Sequence, residues 1–301
     1  TKMILRRRKS SLELAKKIIY KRIEHANTFA GNFWSSFFHN SLLFLDIFIY
    51  GQWIHTNSDR IVVDFLRYER DELRFSVVKV IAAAAHANRE VAPEERKLYE
   101  LFIESADLSS EQRKEAQKIF EAGFAVEDFN ISSENSWILK KFFLEMSILT
   151  IWADRKVEQE EMDFLKKFCH YLDVSDDDLE NSMIGIEGFV LEQWEHLEYL
   201  KDKQDFKEVS EQFIKRLTTV VDKNRSRLVK SMKHNPTILA LARKARSSEL
   251  SPQEKESVRL ELIQMLKGIP AFGIISLPEK FLTLPILLKI LPKTLFTDGI
   301  K

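Results

Sequence analysis

The sequence predicts an all-α protein arranged as a multi-helix bundle, and three observations support this fold class. Apolar residues make up 45% of the 301 residues and charged residues 31%, a balance typical of a folded chain. The chain contains eight glycines and seven prolines, too few for the many tight turns of a β-sandwich or barrel. A helical pattern in the middle of the chain also occurs twice at a fixed offset, which predicts a duplicated helical unit.

Residues 1–72 predict an N-terminal helical region that is first basic and then aromatic-rich. Residues 1–22 carry nine Lys and Arg against one acid, Glu13, and residues 11–30 show helical periodicity. The stretch 33–54 is rich in Phe and Trp but is interrupted by His39, Asn40 and Asp46. We expect a helix buried in a bundle there, with a membrane-facing helix as the alternative. A helix from about residue 58 to 88 is expected next, and no apolar run is long enough to predict a standard transmembrane helix.

One helical pattern recurs in the middle of the chain at a constant offset of 66 residues. Over residues 87–109, eight residues are identical to their equivalents, where roughly one or two would match by chance. This excess predicts a duplicated structural unit. The identical pairs are Ala87 and Ala153, Arg89 and Arg155, Val91 and Val157, Glu94 and Glu160, Glu95 and Glu161, Phe102 and Phe168, Asp107 and Asp173, and Ser109 and Ser175.

Each copy predicts an apolar helix, a short loop, a second helix that begins with two glutamates, and a turn into a third helix. Ser109 and Ser175 stand at N-cap spacing from Gln112 and Asp178, so each hydroxyl can accept a hydrogen bond from a free backbone N–H. Four regions are therefore expected. They are the N-terminal region 1–72, the tandem acidic helical domain 73–190, a connection of long helices 191–235, and a C-terminal domain 236–301. Beyond about residue 186, two long helices are expected, over 186–201 and 205–231.

The C-terminal domain is predicted to be helical but interrupted by prolines. Ser251, Pro252 and Glu254 form a helix start signal, and the helix is expected to reach Lys267. Because proline removes a hydrogen-bond donor and ends or kinks a helix, the remainder is expected to be a string of short apolar helical pieces. Its four prolines stand seven or eight residues apart, at Pro270, Pro278, Pro285 and Pro292.

A short signature lies at the helix-to-helix turn of the second copy and reads Ala-Asp-Arg-Lys-Val-Glu-Gln-Glu-Glu from Ala153 to Glu161. Through this signature, residues 75 to about 185 resemble the TerB-like family of tellurite-resistance proteins. Two positions depart from the family pattern, because Arg155 stands where glycine is usual and Asn88 stands where the first copy would have the acid. The resemblance implies a small helical bundle with an acidic surface, a link to membrane-associated stress responses and a proposed metal site.

The proline-spaced pattern of the C-terminal domain includes Ile269-Pro270, Leu277-Pro278-Glu279, Leu284-Pro285 and Leu287 to Lys293. Through this pattern, residues 237–297 resemble the ribosome-binding-like domain of the leucine-zipper, EF-hand-containing transmembrane (Letm) family. The family's EF-hands and coiled coil are not visible, so cation exchange is not implied. A TerB-like pair joined to a Letm-like end is similar to bacterial proteins described as Letm-related and biofilm-associated.

The carboxylates of the second copy predict a divalent-cation site, because hard cations such as Ca²⁺ and Mg²⁺ take oxygen ligands. An alternative needs no metal, since acids in the first turn of a helix are favoured by the helix dipole. The first copy suits a cation less well because Asn88 removes a charge. The candidate ligands are Asp154, Glu158, Glu161, Asp173, Asp176 and Asp177.

No pattern predicts an enzyme. The seven histidines lack the spacing of a zinc hydrolase, and neither a phosphate-binding glycine loop nor a nucleophile elbow is present. Cys169 lies beside His170, but adjacent helical residues point about 100° apart, so a buried structural thiol is expected. A single cysteine also excludes a disulfide framework. We therefore expect no catalytic residues and no cofactor, with a bound Ca²⁺ or Mg²⁺ as the alternative.

Charge is distributed unevenly along the chain. Residues 88–211 carry 31 acids against 15 Lys and Arg, whereas residues 215–246 carry ten Lys and Arg against Asp222 alone. The basic segments suit anionic lipid headgroups or RNA phosphates, and the alternative is a solvated helical face or contact with the acidic middle of the same molecule. We favour lipid over RNA because apolar stretches accompany the charge. The candidate contact residues are Arg6, Arg7, Arg8, Lys9, Lys16, Lys17, Arg225, Arg227, Lys230 and Lys233.

The sequence is most consistent with a non-enzymatic helical interaction or scaffold protein. One cysteine and the lack of a secretory signal indicate the cytoplasm, with a position peripheral to the inner membrane. The expected partners are an unidentified protein and an anionic membrane surface, and DNA is not expected. One alternative is a divalent-cation-binding regulatory or stress-response module. Another is a ribosome or RNA binder.

Overall fold

The computed structural model confirms the all-α prediction, since the described residues form helices joined by turns and short loops, with no strand among them. The structure describes residues 32–56, 63–88, 90–131, 136–154, 157–197, 203–245, 247–273, 275–292 and 295, and residues 13–24 in part. The α-helices are α1 Phe33–Thr56, α2 Val63–Ala85, α3 Pro93–Ser105, α4 Ser110–Ala122, α5 Trp137–Ile151, α6 Gln159–Leu172, α7 Asp176–Glu192, α8 Lys203–Lys223, α9 Arg225–Lys233, α10 Pro236–Lys244, α11 Pro252–Lys267 and α12 Leu284–Ile290.

The chain divides into two compact units, Thr1–Val174 and Ser175–Lys301. The division falls inside the predicted acidic domain and places α7, the third helix of the second copy, in the second unit. The predicted helix over 186–201 is wrong, because α7 begins at Asp176 and ends at Glu192, and a 3₁₀ turn, Trp194–His196, follows. The predicted helix over 205–231 is divided at Asn224 into α8 and α9.

Helix α2 is central to the first unit and packs against α1, α3, α4 and α5. All its residues from Val80 to Ala85 are buried. The four alanines at the end of this run have short side chains, so neighbouring helices can approach the α2 backbone closely. The aromatic rings of Phe38 and Phe102 meet edge to face, with centroids 5.4 Å apart, and join α1 to α3 in the same core.

A buried ion pair holds α1 against α2. The carboxylate of Asp46 lies 3.5 Å from Arg74 Nη2, and the two side chains are 5% and 4% exposed. Arg74 Nη1 also donates to the carbonyl oxygen of Ala106, at 2.7 Å, in the turn between α3 and α4. Asp46 therefore does not interrupt the aromatic stretch as a solvated residue. It binds an arginine of the neighbouring helix.

The backbone repeats with the offset found in the sequence. Helices α2 and α5 end 66 residues apart, at Ala85 and Ile151, and α3 and α6 begin 66 residues apart. Asp107 and Asp173, an equivalent pair, have φ angles of 52° and 53° and are the non-glycine residues of the described chain with positive φ. Aspartate tolerates the left-handed region better than most residues do, and here it lies in the turn after the second helix of each copy.

The predicted helix caps are confirmed. The hydroxyls of Ser109 and Ser175 accept from the backbone N–H of Gln112 and Asp178, each at 3.2 Å. Ser251 likewise accepts from the N–H of Glu254, at 3.3 Å. These bonds satisfy donors at the first turns of α4, α7 and α11, which would otherwise have no intrahelical partner.

The second unit packs α7 on α8, α8 on α12, and α11 on α10 and α12. Gly188 is needed for the close approach of α7 to the C-terminal segment, because an added Cβ would lie 3.1 Å from Pro278 Cδ. The prolines interrupt the helices as predicted. A 3₁₀ turn begins at Pro270, and Pro285 lies in the first turn of α12. Pro278 lies between these two elements, outside any helix.

Interactions at the start of α11 indicate how the stability of the second unit changes as the pH falls. A hydrogen bond from Lys244 Nζ, at 2.5 Å, lowers the pKa of Glu254 from its usual 4.5, and its bond with the Ser251 backbone lowers that pKa further. A carboxyl with a depressed folded-state pKa stabilises the fold above its unfolded pKa, and this stabilisation is lost as the pH falls through the folded value.

We expect Glu254→Gln to reduce the loss of thermal stability as the pH falls below about 4.5, the unperturbed pKa. Glutamine can still accept the bond from the Ser251 N–H in a capping box, but it has no charge to lose. Melting temperatures measured by circular dichroism across this range test the expectation. Glu211→Gln, an exposed glutamate on α8, is the control. Equal acid dependence in Glu254→Gln and the unaltered chain would contradict it.

Candidate functional site

The second glutamate of each repeated pair is buried and caps its own helix. Glu95 Oε2 accepts from the backbone N–H of Ala92 at 2.8 Å, and Glu161 Oε2 accepts from that of Glu158 at 2.7 Å. Glu95 is 1% exposed and Glu161 is fully buried. The first glutamate of the second pair is not buried, because Glu160 is exposed to solvent. The recurring glutamate therefore serves the start of α3 in one copy and of α6 in the other.

The two copies contact each other where the loop of the first copy approaches the start of α6, the second helix of the second copy. Asn88 Nδ2 donates to Glu161 Oε1 at 3.2 Å and to Glu158 Oε2 at 3.4 Å, while its Oδ1 accepts from the Glu90 N–H at 3.2 Å. In the other direction, the 3₁₀ turn Trp152–Asp154, which follows α5, packs against α3. We call this region the repeat junction; it comprises Asn88, Glu95, Glu158, Glu161 and the turn Trp152–Asp154.

At the repeat junction, the carboxylates of Glu158 and Glu161 lie opposite the side-chain amide of Asn88. Carboxylates accept hydrogen bonds, and the NH₂ group of asparagine offers two donors. Asn88 thus gives Glu158 and Glu161 a shared donor, although the two glutamates and the asparagine come from different copies. This contact joins residues about seventy positions apart in the sequence.

The predicted cation ligands are distributed over several places. Glu158 and Glu161 lie at the repeat junction, whereas Asp173 ends α6 with its side chain 97% exposed and 3.7 Å from Lys140 Nζ. Asp176 and Asp177 lie in the first turn of α7, in the second unit, and Asp177 is 3.6 Å from Lys223 Nζ. The side chain of Asp154 lies outside the described residues. Within the described residues, no three His, Cys, Asp or Glu side chains form a group suited to a metal.

The predicted basic contact residues are partly described. Arg6, Arg7, Arg8 and Lys9 lie outside the described residues, while Lys16 and Lys17 are described and exposed. On α9, Leu228 and Met232 are buried and face the unit, so the cationic side chains occupy the solvent side. We call this the α9 surface; it comprises Arg225, Arg227, Lys230 and Lys233, all of them exposed.

Two buried ionic groups were not anticipated from the sequence. One is the pair of Asp46 and Arg74 described above. The other is Glu187, fully buried on α7, whose Oε1 accepts from Arg216 Nε at 2.9 Å. Arg216 Nη1 also donates to Glu180 Oε2 at 2.9 Å. In the sequence, both acids stand within an apolar run. An acid in such a run indicates a buried charge, and a buried charge requires a partner.

Cys169 is buried, as predicted for a structural thiol. Its neighbour His170 is exposed on the other side of α6. None of the helices that the structure describes combines the length and the apolar character needed to cross a membrane.

Part of this chain is similar to the co-chaperone protein DjlA of Vibrio parahaemolyticus. The two sequences are 30% identical over 122 residues, which cover 38% of this chain and 43% of the relative. The chain therefore spans less than half the length of this relative. No family model matches the chain, and no solved structure matches it. The TerB-like and Letm-like resemblances of its two regions remain predictions.

Proposed function

We propose that this chain is a non-enzymatic helical interaction protein that lies at the cytoplasmic face of a bacterial membrane, with a TerB-like pair and a Letm-like end. The observation that carries the proposal is the α9 surface. Arg227, Lys230 and Lys233 are exposed there, on the side of α9 away from the buried Leu228 and Met232. A cluster of exposed cations attracts an anionic surface, at about 1 kcal/mol for each Lys or Arg near anionic lipid.

The use of buried acids supports a role without catalysis. Glu95 and Glu161 cap helices, Glu187 binds Arg216, and Asp46 binds Arg74. Each of these carboxylates therefore has a structural task. The partial similarity to a protein named as a co-chaperone agrees with a role in protein interaction.

The charge-neutralising variant Arg227→Gln/Lys230→Gln/Lys233→Gln tests the α9 surface. We expect it to weaken binding to phosphatidylglycerol vesicles about 100-fold at low salt, because it removes three contacts of about 1 kcal/mol each. Vesicle flotation measures the bound fraction. Lys97→Gln/Lys114→Gln/Lys118→Gln removes the same charge from exposed positions of α3 and α4 and is the matched control.

Three outcomes would contradict the proposal. The unaltered chain could fail to float with anionic vesicles, or both triple variants could lose binding equally. RNA or ribosomes could also bind the unaltered chain more tightly than vesicles do and lose that binding in the α9 variant. That last result would favour the ribosome or RNA binder instead.

A second candidate function, a divalent-cation-binding regulatory module, is favoured by one observation. Glu158 and Glu161 both approach a single atom, Asn88 Nδ2, so two carboxylates converge on one place. In this candidate, Asp154 supplies a third carboxylate from the same copy. Titration calorimetry with Ca²⁺, Mg²⁺ and Mn²⁺ tests it. Heat of binding that disappears in Asp154→Asn supports the candidate function. If the unaltered chain gives no heat of binding, the candidate function is wrong.

A further inference from the structure

One side of α1 stays accessible along most of the helix. The opposite side is buried in the first unit through residues that include Phe38, Leu45 and Ile49. Asp46 is the only Asp, Glu, Lys or Arg of this helix, and it is also buried. The accessible side therefore has none of these charges, although Ile47 on it is 46% exposed. A surface helix normally presents charged residues to water, so an uncharged side indicates a binding surface.

The accessible residues of α1 follow the spacing of a helix–helix interface. They succeed one another by four, three, four, three and four residues, which is the alternation of the a and d positions in a heptad. At about 1.5 Å per residue, this row is roughly 27 Å long. Such an alternation keeps one row of side chains facing a partner helix. We call this row the α1 seam; it comprises Phe33, Phe37, Asn40, Phe44, Ile47 and Gly51, none of them buried.

Gly51 leaves space at one end of the α1 seam. Beyond its own helix, a Cβ added at Gly51 would meet no atom of the described residues within 4 Å, so the backbone there borders open space. Glycine destabilises a helix interior relative to alanine, but it allows another backbone or side chain to approach closely. A partner helix can therefore use the space that the missing side chain leaves.

Helix α5 adds apolar residues beside the α1 seam. The rings of Phe44 and Phe142 stack with their centroids 5.1 Å apart and an interplanar angle of 29°. Ile138, one helical turn before Phe142, is 51% exposed, and the adjacent Trp137 is 46% exposed. Enrichment in aromatic residues and depletion of charge are the composition of the core of an interface between protein chains.

Exposed amides on α1 distinguish between a bilayer and a second protein chain. Asn40 and Gln52 are exposed, one on each side of the stretch that contains Phe44 and Ile47. In the hydrocarbon of a bilayer these amides would lose their hydrogen bonds to water without replacement, which is costly. In a protein interface they can bond to each other, because each amide has both donors and an acceptor. The amides therefore favour a protein partner.

The spacing of the α1 seam makes it complementary to a second copy of itself. A two-fold axis midway between Phe44 and Ile47 places Phe44 of each copy opposite the partner's Ile47. Asn40 precedes Phe44 by four residues and Gly51 follows Ile47 by four. The same axis therefore places Asn40 opposite the partner's Gly51 and beside the partner's Gln52. A ring then faces a smaller aliphatic side chain, and an amide faces the space at a glycine.

We propose that two copies of the chain pair through the α1 seam, antiparallel about this two-fold axis. A two-fold interface uses the same surface twice, so that surface must be complementary to itself. Like charges do not oppose the pairing, because the seam contains no Asp, Glu, Lys or Arg. The inference goes beyond the proposed membrane function and does not depend on the α9 surface, which belongs to the other unit.

Sedimentation equilibrium of the full chain tests the pairing. We expect a reversible equilibrium between monomer and dimer in the unaltered chain. Ile47→Glu places two carboxylates near the axis and should weaken the dimer at least about 100-fold, because like charges in an interface repel each other. Leu288→Glu is the matched control, since Leu288 is similarly exposed, at 48%, but belongs to the second unit. An unchanged melting temperature shows that each variant is folded.

Disulfide cross-linking tests the antiparallel register. In the double variant Asn40→Cys/Gly51→Cys, mild oxidation should link position 40 of one copy to position 51 of the other. Within one chain these positions lie roughly 16 Å apart along the helix, too far for a disulfide. Asn40→Cys alone should not cross-link, because the two copies of position 40 lie on opposite sides of the axis. Cys169 does not compete because it is buried.

Four results would overturn the proposal. The unaltered chain could remain monomeric at about 0.1 mM, or Ile47→Glu could leave the dimer intact. Asn40→Cys alone could cross-link, which would show a parallel pair. Ile47→Glu could abolish the flotation of a monomeric chain with phosphatidylglycerol vesicles, which would assign the seam to a bilayer.

The charge-neutralising α9 variant separates this inference from the proposed function. We expect that variant to form dimers like the unaltered chain, because its substitutions lie in the other unit. A chain that dimerises but does not bind vesicles would contradict the proposed function alone. A chain that binds vesicles as a monomer would contradict the pairing alone.

Discussion

Replacing Asp46 with alanine is expected to lower the free energy of unfolding by about 3–5 kcal/mol. Asp46 and Arg74 are nearly inaccessible to solvent, so the variant removes a carboxylate that lies 3.5 Å from a buried guanidinium charge. Arg74 retains its bond to the Ala106 carbonyl oxygen, but a neutral acceptor does not replace an opposite charge. Urea unfolding followed by circular dichroism measures the change.

Two further variants determine whether the effect comes from the unpaired charge. Asp46→Leu combined with Arg74→Met removes both charges, and we expect it to recover most of the lost stability. Asp128→Ala, an exposed aspartate of the same unit, should change the unfolding free energy by less than about 0.5 kcal/mol. If the double variant were as unstable as Asp46→Ala, the loss would come from packing and not from the charge.

Replacing Glu161 with alanine is expected to lower the free energy of unfolding by about 2–4 kcal/mol. The variant loses the cap on the Glu158 N–H, which costs about 0.5–2 kcal/mol. It also removes the nearer acceptor of the Asn88 amide, which costs a further 1–3 kcal/mol, roughly. Urea unfolding gives the total, and hydrogen exchange at the first turn of α6 reports the cap.

The matched control is the neighbouring glutamate of the same pair. Glu160→Ala changes an exposed side chain in the same helical turn, so we expect a change below about 0.5 kcal/mol. Glu161→Gln should retain part of the stability, because an amide oxygen can still accept from the Glu158 N–H. Similar losses from Glu160→Ala and Glu161→Ala would show that the recurring pair acts through charge alone.

Local features of the fold could be predicted from the sequence because they depend on residues a few positions apart. The bond from the Glu254 N–H to Ser251 and the equivalent bonds at Ser109 and Ser175 follow from serine at cap spacing. The proline-interrupted end follows from a missing donor at each proline. The repeat offset could also be read directly, since identical residues occupy identical places in two helical hairpins.

Long-range contacts could not be predicted in the same way. The approach of Asn88 to Glu161 depends on how helices of different copies pack, and no spacing in the sequence reports it. The same holds for Arg74, whose partner lies on another helix. Candidate cation ligands were grouped because they are close in sequence, yet Asp173 points to solvent while Glu161 points inward. Glu161 lies in the first turn of α6 and Asp173 at its end, so the length of the helix separates them.

The exposed side of α1 was likewise beyond prediction. Periodicity separates helix from strand, but a helix that is apolar all round gives no indication of which side is covered. The sequence left a buried and a membrane-facing helix as alternatives, and the structure shows that one side of α1 is buried in the first unit. Phe38 and Leu45 are fully buried on one side, whereas Ile47 remains accessible on the other.

The repeat junction has a consequence for how the duplicated unit folds. Each copy has a buried glutamate at the start of its second helix, and the asparagine that donates to Glu161 belongs to the other copy. The turn after α5 likewise packs on α3, a helix of the first copy. Each copy therefore contributes a contact to the second helix of the other. We expect the helices on the two sides of the repeat junction to lose their hydrogen-exchange protection together, because an opening of one removes contacts from the other.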